Sequence, residues 1–375
     1  MTRLRLSVLA TTFAGVLALG GAAVSAELIH GAWPPARDHL NTTALPNAFK
    51  GIEAETHGAI KWKLVPGGQL ADGKSTFRAV QDGLMQAGLG VAIYVPNLVP
   101  STNLIYSSIV FSDDVVAATG AAMETITLHC PSCLEEFRKI NALPLGGFTG
   151  APYVLMCRAP VRSAADLKGK RVRAAGGSAE MIKLAGGVPI GATLTEAVGL
   201  LQRGGMDCMF GAAEWLKTFG YGDFAKDVTD YPLGITGPAL GFMMNHNTWD
   251  SFTTEQKKIH LKYGAYVSAE MAIGNFVVKN EASLKEVMST KGVKLVEADA
   301  KSFEALIAEF KKGERGRILD AARGFGVKDP EPILVAYDQA FRKWHGLSKG
   351  IGRDVAKFAA AMQREIYDKV DPDKL

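Results

Sequence analysis

The sequence predicts an exported α/β protein of two lobes, and three observations carry the prediction. From residue 27 onward, apolar runs of strand length alternate with stretches of helical period, the order that gives a mostly parallel sheet covered by helices. About 350 residues follow the leader, more than one hydrophobic core usually serves. The chain also opens on a basic and then apolar segment that ends in small residues.

That opening segment, Met1 to Ala26, carries Arg3 and Arg5, an apolar run from Leu6 to about Leu19, and Val24-Ser25-Ala26 ahead of Glu27. This is the pattern of a secretory signal peptide cut near Ala26, and its apolar core is too short to serve as a bilayer anchor. No later stretch approaches a membrane helix, so the mature chain is expected as a soluble protein of the periplasm. The formal charge of +4 falls to +2 once Arg3 and Arg5 are removed. So weak a balance argues against a nucleic-acid partner and is compatible with a small anionic ligand.

Glu27 to Ala32 reads as the first strand, followed by Trp33-Pro34-Pro35-Ala36-Arg37-Asp38-His39, a loop stiffened by two prolines. Leu45, Phe49, Ile52 and Ala54 mark the apolar side of a helix from about Thr43 to Thr56. Ile60 to Val65 is a strand, Pro66-Gly67-Gly68 a turn, Lys74 to Asp82 a helix, and Gly88 to Tyr94 a short apolar strand. After breaks at Pro96 and Pro100, Asp113 to about Leu128 resumes as helix, and Ala142 to Thr149 is a glycine-rich strand and loop. Farther on, Glu180 to Leu184 is a short helix, and Leu194 to Arg203 an amphipathic one ended by Gly204-Gly205. Met206 to Phe210 reads as a buried strand, and Pro238 to Met244 as another. Thr253 to about Val287 keeps a helical pattern well beyond the usual globular length. Ala300 to Ala322, Pro330 to Trp344 and Asp354 to Tyr367 are the remaining helices.

The stretch most informative about function lies in the middle of the chain. Tyr153 to Cys157 is a β-run, a proline-punctuated turn follows, and a short polar turn of helix ends at Gly169. Lys170 to Ala174 is a second β-run, and Gly176-Gly177 leads into a helix for which Ser178 is the expected N-cap. Arg173 thus stands at a strand exit just ahead of helix N–H groups. A planar guanidinium grips both oxygens of a carboxylate, and a helix N-terminus adds partial positive charge, so this arrangement suits an organic acid. Arg171 shares the strand face by period and is expected to be solvated or paired with a neighbour.

Pro160-Val161, then Asp166-Leu167-Lys168-Gly169, then Val172-Arg173 resembles the signature of the substrate-binding subunits of TRAP transporters, the tripartite ATP-independent periplasmic carriers of organic acids. Gly68-Gln69-Leu70, Val80-Gln81-Asp82-Gly83 and Met244-Asn245 followed by Trp249 are similar to further landmarks of that family, and the likeness runs over most of the chain after residue 27. The resemblance implies a two-lobed periplasmic binding protein fold, α/β in class, with a hinge crossed more than once and a long helix spanning both lobes. Residues 27–150 with about 239–283 would form one lobe and 151–238 with about 284–340 the other, leaving 341–375 as a C-terminal helical segment. It implies no enzyme and no cofactor, but capture of a carboxylate in the interlobe cleft and delivery to a TRAP membrane permease.

The family's final arginine holds the ligand carboxylate, a role that falls on Arg173. Many relatives have a second arginine where this chain has Tyr153, an asparagine where it has Gly211, and acidic or polar residues where it has Gly73 and Val91. These replacements strip charge and hydrogen-bonding capacity from the cleft, and buried polar ligand groups left without partners cost about 1 to 3 kcal/mol each. The expected ligand is therefore a monocarboxylate with an apolar or aromatic body. Trp33 falls where relatives place a first-lobe contact, and Tyr94 and Trp215 follow strand ends that should open on the cleft. Each of the three is either a ligand-stacking wall or ordinary packing.

Two rival classes are set beside this one. Cys130-Pro131-Ser132-Cys133 has the spacing of a thiol-disulfide oxidoreductase, although no compact βαβ unit surrounds it. The other rival is a binding protein that feeds a different transporter or a sensor. The four cysteines allow three connectivities; proximity favours Cys130 with Cys133, and Cys157 with Cys208 could bridge two strands of one lobe. No Gly-x-Ser-x-Gly elbow, phosphate-cradling loop or dinucleotide fingerprint is present, since Gly88-Leu89-Gly90 lies within a strand. The seven histidines show no zinc-binding spacing, so no metal is implied.

Overall fold

The computed structural model describes residues 27–375, so the leader and its expected cut near Ala26 lie outside the described residues. In chain order the strands are β1 (Glu27–Gly31), β2 (Lys61–Val65), β3 (Ala87–Val91), β4 (Ala142–Phe148), β5 (Val154–Cys157), β6 (Arg171–Arg173), β7 (Val188–Ile190), β8 (Cys208–Gly211), β9 (Asp227–Thr229), β10 (Ala239–Asn245) and β11 (Lys294–Val296). They form two sheets, ordered β2-β1-β3-β10-β4 and β11-β9-β5-β8-β6-β7, each the floor of one lobe.

Strand direction records how the chain passes between the lobes. β1 runs parallel to β2 and β3, whereas β10 is antiparallel to both β3 and β4. In the second sheet β6 is parallel to β7 and β8, and β5 is antiparallel to β8 and β9. The two reversed strands are those by which the chain arrives from the other lobe, β5 directly after β4 and β10 directly after β9. A third passage is made by helix. Thr254–Ala269, a wider π-helical segment Glu270–Lys279 and Asn280–Lys291 follow without a break, and β11 then joins the second sheet. Thr253 starts this long element with a reciprocal capping box to Gln256.

A helix begins at Pro100, where the sequence suggested a break, and another begins at Pro131. Pro100–Ser107 and Pro131–Lys139 each open on their proline, which costs nothing at a first helical position because that N–H has no partner inside the helix. β3 stops at Val91, and Ala92–Tyr94 is a 3₁₀ turn that swings Tyr94 out of the sheet. Ser178 is not an N-cap. Gly176, at φ 56°, holds that position, and the Ser178 hydroxyl donates back to Ala175 O at 2.7 Å.

The C-terminal helices Glu331–Ile351 and Val355–Glu365 pack on the first lobe, and the former runs unbroken through residue 341. Trp344 lies fully buried over Gly120 and donates its indole N–H to Glu124 at 2.7 Å. Cys157 and Cys208 face each other in register on β5 and β8 and are joined. Cys130 and Cys133 are joined at the start of helix Pro131–Lys139, and both are buried, out of reach of an attacking thiolate. Among the described residues no helix is long and apolar enough to cross a membrane.

Candidate ligand-binding site

Where the two sheets face each other, their strand ends enclose a cavity of about 60 Å³. β1 leads to Trp33 and Asp38, β3 to Val91 and Tyr94, β6 to Arg173, and β8 to Glu214 and Trp215. The long helix closes one side with Met271 and Phe276, both from its π-helical segment. Such a wide turn is a common local device at functional sites.

Arg173 has only 4% of its surface exposed. Its Nε donates to Ala192 O at 2.9 Å and one terminal amine donates to Tyr94 Oη at 3.2 Å. It forms no salt bridge among the described residues. Burial opposes its charge, yet the phenols of Tyr94, Tyr106, Tyr221 and Tyr153 offset this and leave the guanidinium above its usual range. Burial in turn raises those phenols, so they stay protonated at neutral pH. Arg171, two residues earlier, is half-buried and grips Asp207 through Nε at 3.1 Å and Nη2 at 2.8 Å.

The helix end supporting the site is not the one expected. Gly176 and Gly177 pack against Ser107, away from the cavity. Leu194, first residue of the helix Leu194–Gln202, lines the cavity instead and donates its N–H to Tyr94 Oη at 3.2 Å.

Aromatic side chains make the walls. Trp33 is buried, donates its indole N–H to Leu89 O at 3.0 Å and meets Tyr94 edge-on, so the same ring is both core and cavity wall. Tyr153 and Trp215 meet edge-on with centroids 5.4 Å apart, and Phe148, Phe219 and Phe276 complete the surround. The Tyr153 hydroxyl lies close to the side chains of Tyr106 and Thr236. Val91 lines the cavity as well. Gly211 does not; a Cβ there would lie 2.1 Å from the Trp215 ring, so its bare backbone is what lets that ring pack down.

Two acids that sequence reasoning had left out also line the cavity. Glu214 is 2% exposed, accepting from Thr218 Oγ1 at 2.6 Å and from Asn275 Nδ2 at 3.3 Å. Burial, with the charge of Asp38 adding to it, holds its carboxyl up at about 8. Asp38 is 6% exposed and accepts the Leu40 N–H at 2.8 Å; burial raises it too, against the pull of that N–H, His39 and Lys279. Neither acid makes a salt bridge among the described residues, and no cluster of three or more His, Cys, Asp or Glu there is placed to hold a metal.

The family model for bacterial extracellular solute-binding proteins, family 7 (DctP), matches residues 33–313. The chain belongs to that family. Solved DctP-like structures share its fold. A TRAP periplasmic solute-binding protein from Bordetella bronchiseptica, with (R)- and (S)-mandelate bound, has a TM-score of 0.71 at 23% identity over 84% of this chain and 99% of that one. A marine metagenome TRAP solute-binding protein specific for aromatic acid ligands, with 3-hydroxybenzoate, has a TM-score of 0.73 at 22% identity over 84% and 98%. One from Rhodoferax ferrireducens T118, with copurified benzoate, has a TM-score of 0.72 at 15% identity over 86% and 99%. The cavity thus sits on the two-lobed fold of extracellular receptors.

Proposed function

We propose that this chain is the periplasmic receptor of a TRAP transporter. It captures an organic acid between its lobes, with Arg173 on the carboxylate, and presents the closed form to a membrane permease after signal cleavage near Ala26. It binds without catalysing. One observation carries the reading. A guanidinium that cannot shed its proton is buried at the cavity with no salt bridge among the described residues, an expensive arrangement that an anionic ligand relieves.

Tyr153 stands beside the anchor as a hydrogen-bonding neighbour, and Trp33, Tyr94, Val91 and Trp215 shape the space for the ligand body. We read residues 27–150 with 239–283, and 151–238 with 284–340, as the bodies that close on it. The ligand is a monocarboxylate with an apolar or aromatic body. Eight aromatic side chains line the space, and a second carboxylate would meet Asp38 and Glu214, two buried acids with no salt-bridge partner among the described residues to offer it. The bound mandelate, 3-hydroxybenzoate and benzoate of the structural neighbours agree in chemistry.

A thermal-shift screen of organic acids tests this. A true ligand raises the melting temperature by mass action. Arg173→Ala is expected to abolish the shift, and a variant that still responds would show that the anchor lies elsewhere.

A further inference from the structure

Resting on that reading, we propose that the ligand carries a hydrogen-bond donor, a hydroxyl or an ammonium, on the end away from its carboxylate, and that Asp38 and Glu214 together accept it.

The cavity is bipolar. Arg173 is ringed by phenols and forms no ion pair with either acid, while Asp38 and Glu214 act on each other and share Lys279 as their nearby cation. Both kinds of group thus line one enclosure, and no salt bridge among the described residues joins Arg173 to either acid. The acids also come from different lobes. Asp38 sits on the loop after β1, and Glu214 just past β8. Closing the cleft brings two carboxyls together that then oppose each other.

Their protein partners do not use up their capacity. Asp38 Oδ1 takes the Leu40 N–H, and no donor among the described residues holds Oδ2. Glu214 Oε2 is satisfied by Thr218, whereas Oε1 has only the 3.3 Å contact with Asn275. The neighbouring charged groups are engaged elsewhere or stand off. His39 is bound to Glu270 at 2.7 Å on the long helix, and Lys279 makes no salt bridge among the described residues. Without a ligand Glu214 keeps a proton; a ligand that brings its own donor lets Glu214 release that proton to solvent and accept the ligand's hydrogen instead, and a site of this kind rejects the analogue without it.

The test is calorimetric titration of the mature chain with benzoate, its 3- and 4-hydroxy derivatives and its 3- and 4-aminomethyl derivatives. At least one donor-bearing acid should bind roughly tenfold or more tighter than benzoate. That ratio should shrink in Glu214→Met and, separately, in Asp38→Ala, two variants at different points of the fold, each checked by its melting curve. The double variant Asp38→Asn, Glu214→Gln separates the two donors, because neutral amides still accept from a hydroxyl but no longer attract an ammonium. If benzoate binds, and Arg173→Ala abolishes it, yet the donor-bearing acids gain less than that or keep their gain in both acid variants, the inference falls and the carboxylate anchor stands. If none of these acids binds, the reading of the anchor falls and this one with it.

Discussion

Arg173 and Glu214 show how burial acts in opposite ways on two ionisable residues of one cavity. The guanidinium cannot lose its proton, so its unmet charge stays available for a ligand. The carboxyl relieves its burial by holding a proton. With its folded value raised to about 8 from an ordinary 4.5, Glu214 favours the folded state below pH 4.5, and that contribution is lost as pH rises through 8. The groups that bear on it are Asp38, Lys279 and Tyr221, with the His39–Glu270 pair alongside. The ligand-free protein is expected to melt at a lower temperature at pH 8.5 than at pH 6, and Glu214→Gln to flatten that slope. A variant with the parent's slope would show that Glu214 titrates normally.

At the scale of elements, the long helix is held by close backbone approach. Gly264 on it faces β4, where an added Cβ would lie 2.3 Å from Leu145 O, and Gly146 meets the same point from the other side. Backbone cannot swing aside as a side-chain tip can. Gly264→Ala should therefore destabilise by about 1 to 3 kcal/mol, read as a lower urea midpoint, while ligand affinity falls far less than in Arg173→Ala. The same helix carries His260, whose Nδ1–H donates to Gln256 O at 2.7 Å while Nε2 accepts from Trp62 at 3.1 Å. Burial lowers both His260 and the core His30 to about 4. Their contribution to stability is present above pH 6.5 and lost as pH falls through 4, the reverse of Glu214.

Across the whole molecule, the contacts that join the lobes around the cavity include Arg37, whose Nε donates to Thr218 O at 2.8 Å, and two further pairings. Tyr94 Oη, from the first lobe, meets both the Arg173 guanidinium and the Leu194 N–H at 3.2 Å. Lys74 pairs with Glu196 at 2.7 Å, but both are about half exposed, and such pairs contribute little. Closure should therefore depend more on Tyr94. Tyr94→Phe removes two partly buried hydrogen bonds that exist only when the lobes meet, and is expected to weaken ligand binding by about 1 to 2 kcal/mol. Titration calorimetry measures it, and an unchanged affinity would place the closing interaction at another contact.

What the sequence determined by itself is what local pattern carries. Alternating strand and helix periods and the order of turns give the fold class, and the run from Pro160 to Arg173 points to the anchor proposed above, because each depends on residues a few positions apart. The aromatic residues at strand ends were legible for the same reason, since a strand end has a direction even before its lobe is known. What only the tertiary structure decided depends on residues far apart in the chain. Asp38 and Glu214 are ordinary acids until two lobes bring them into one cavity, and Gly211 shows its use only beside Trp215. Pro100, read as a break, opens a helix, and that a helix as short as Pro100–Ser107 forms there at all depends on its packing. Which helix N-terminus faces the site followed from packing too, and it is Leu194, not Ser178. Charge and burial meet only in space, and their meeting is the reason a strand-end arginine is proposed as the grip on a carboxylate.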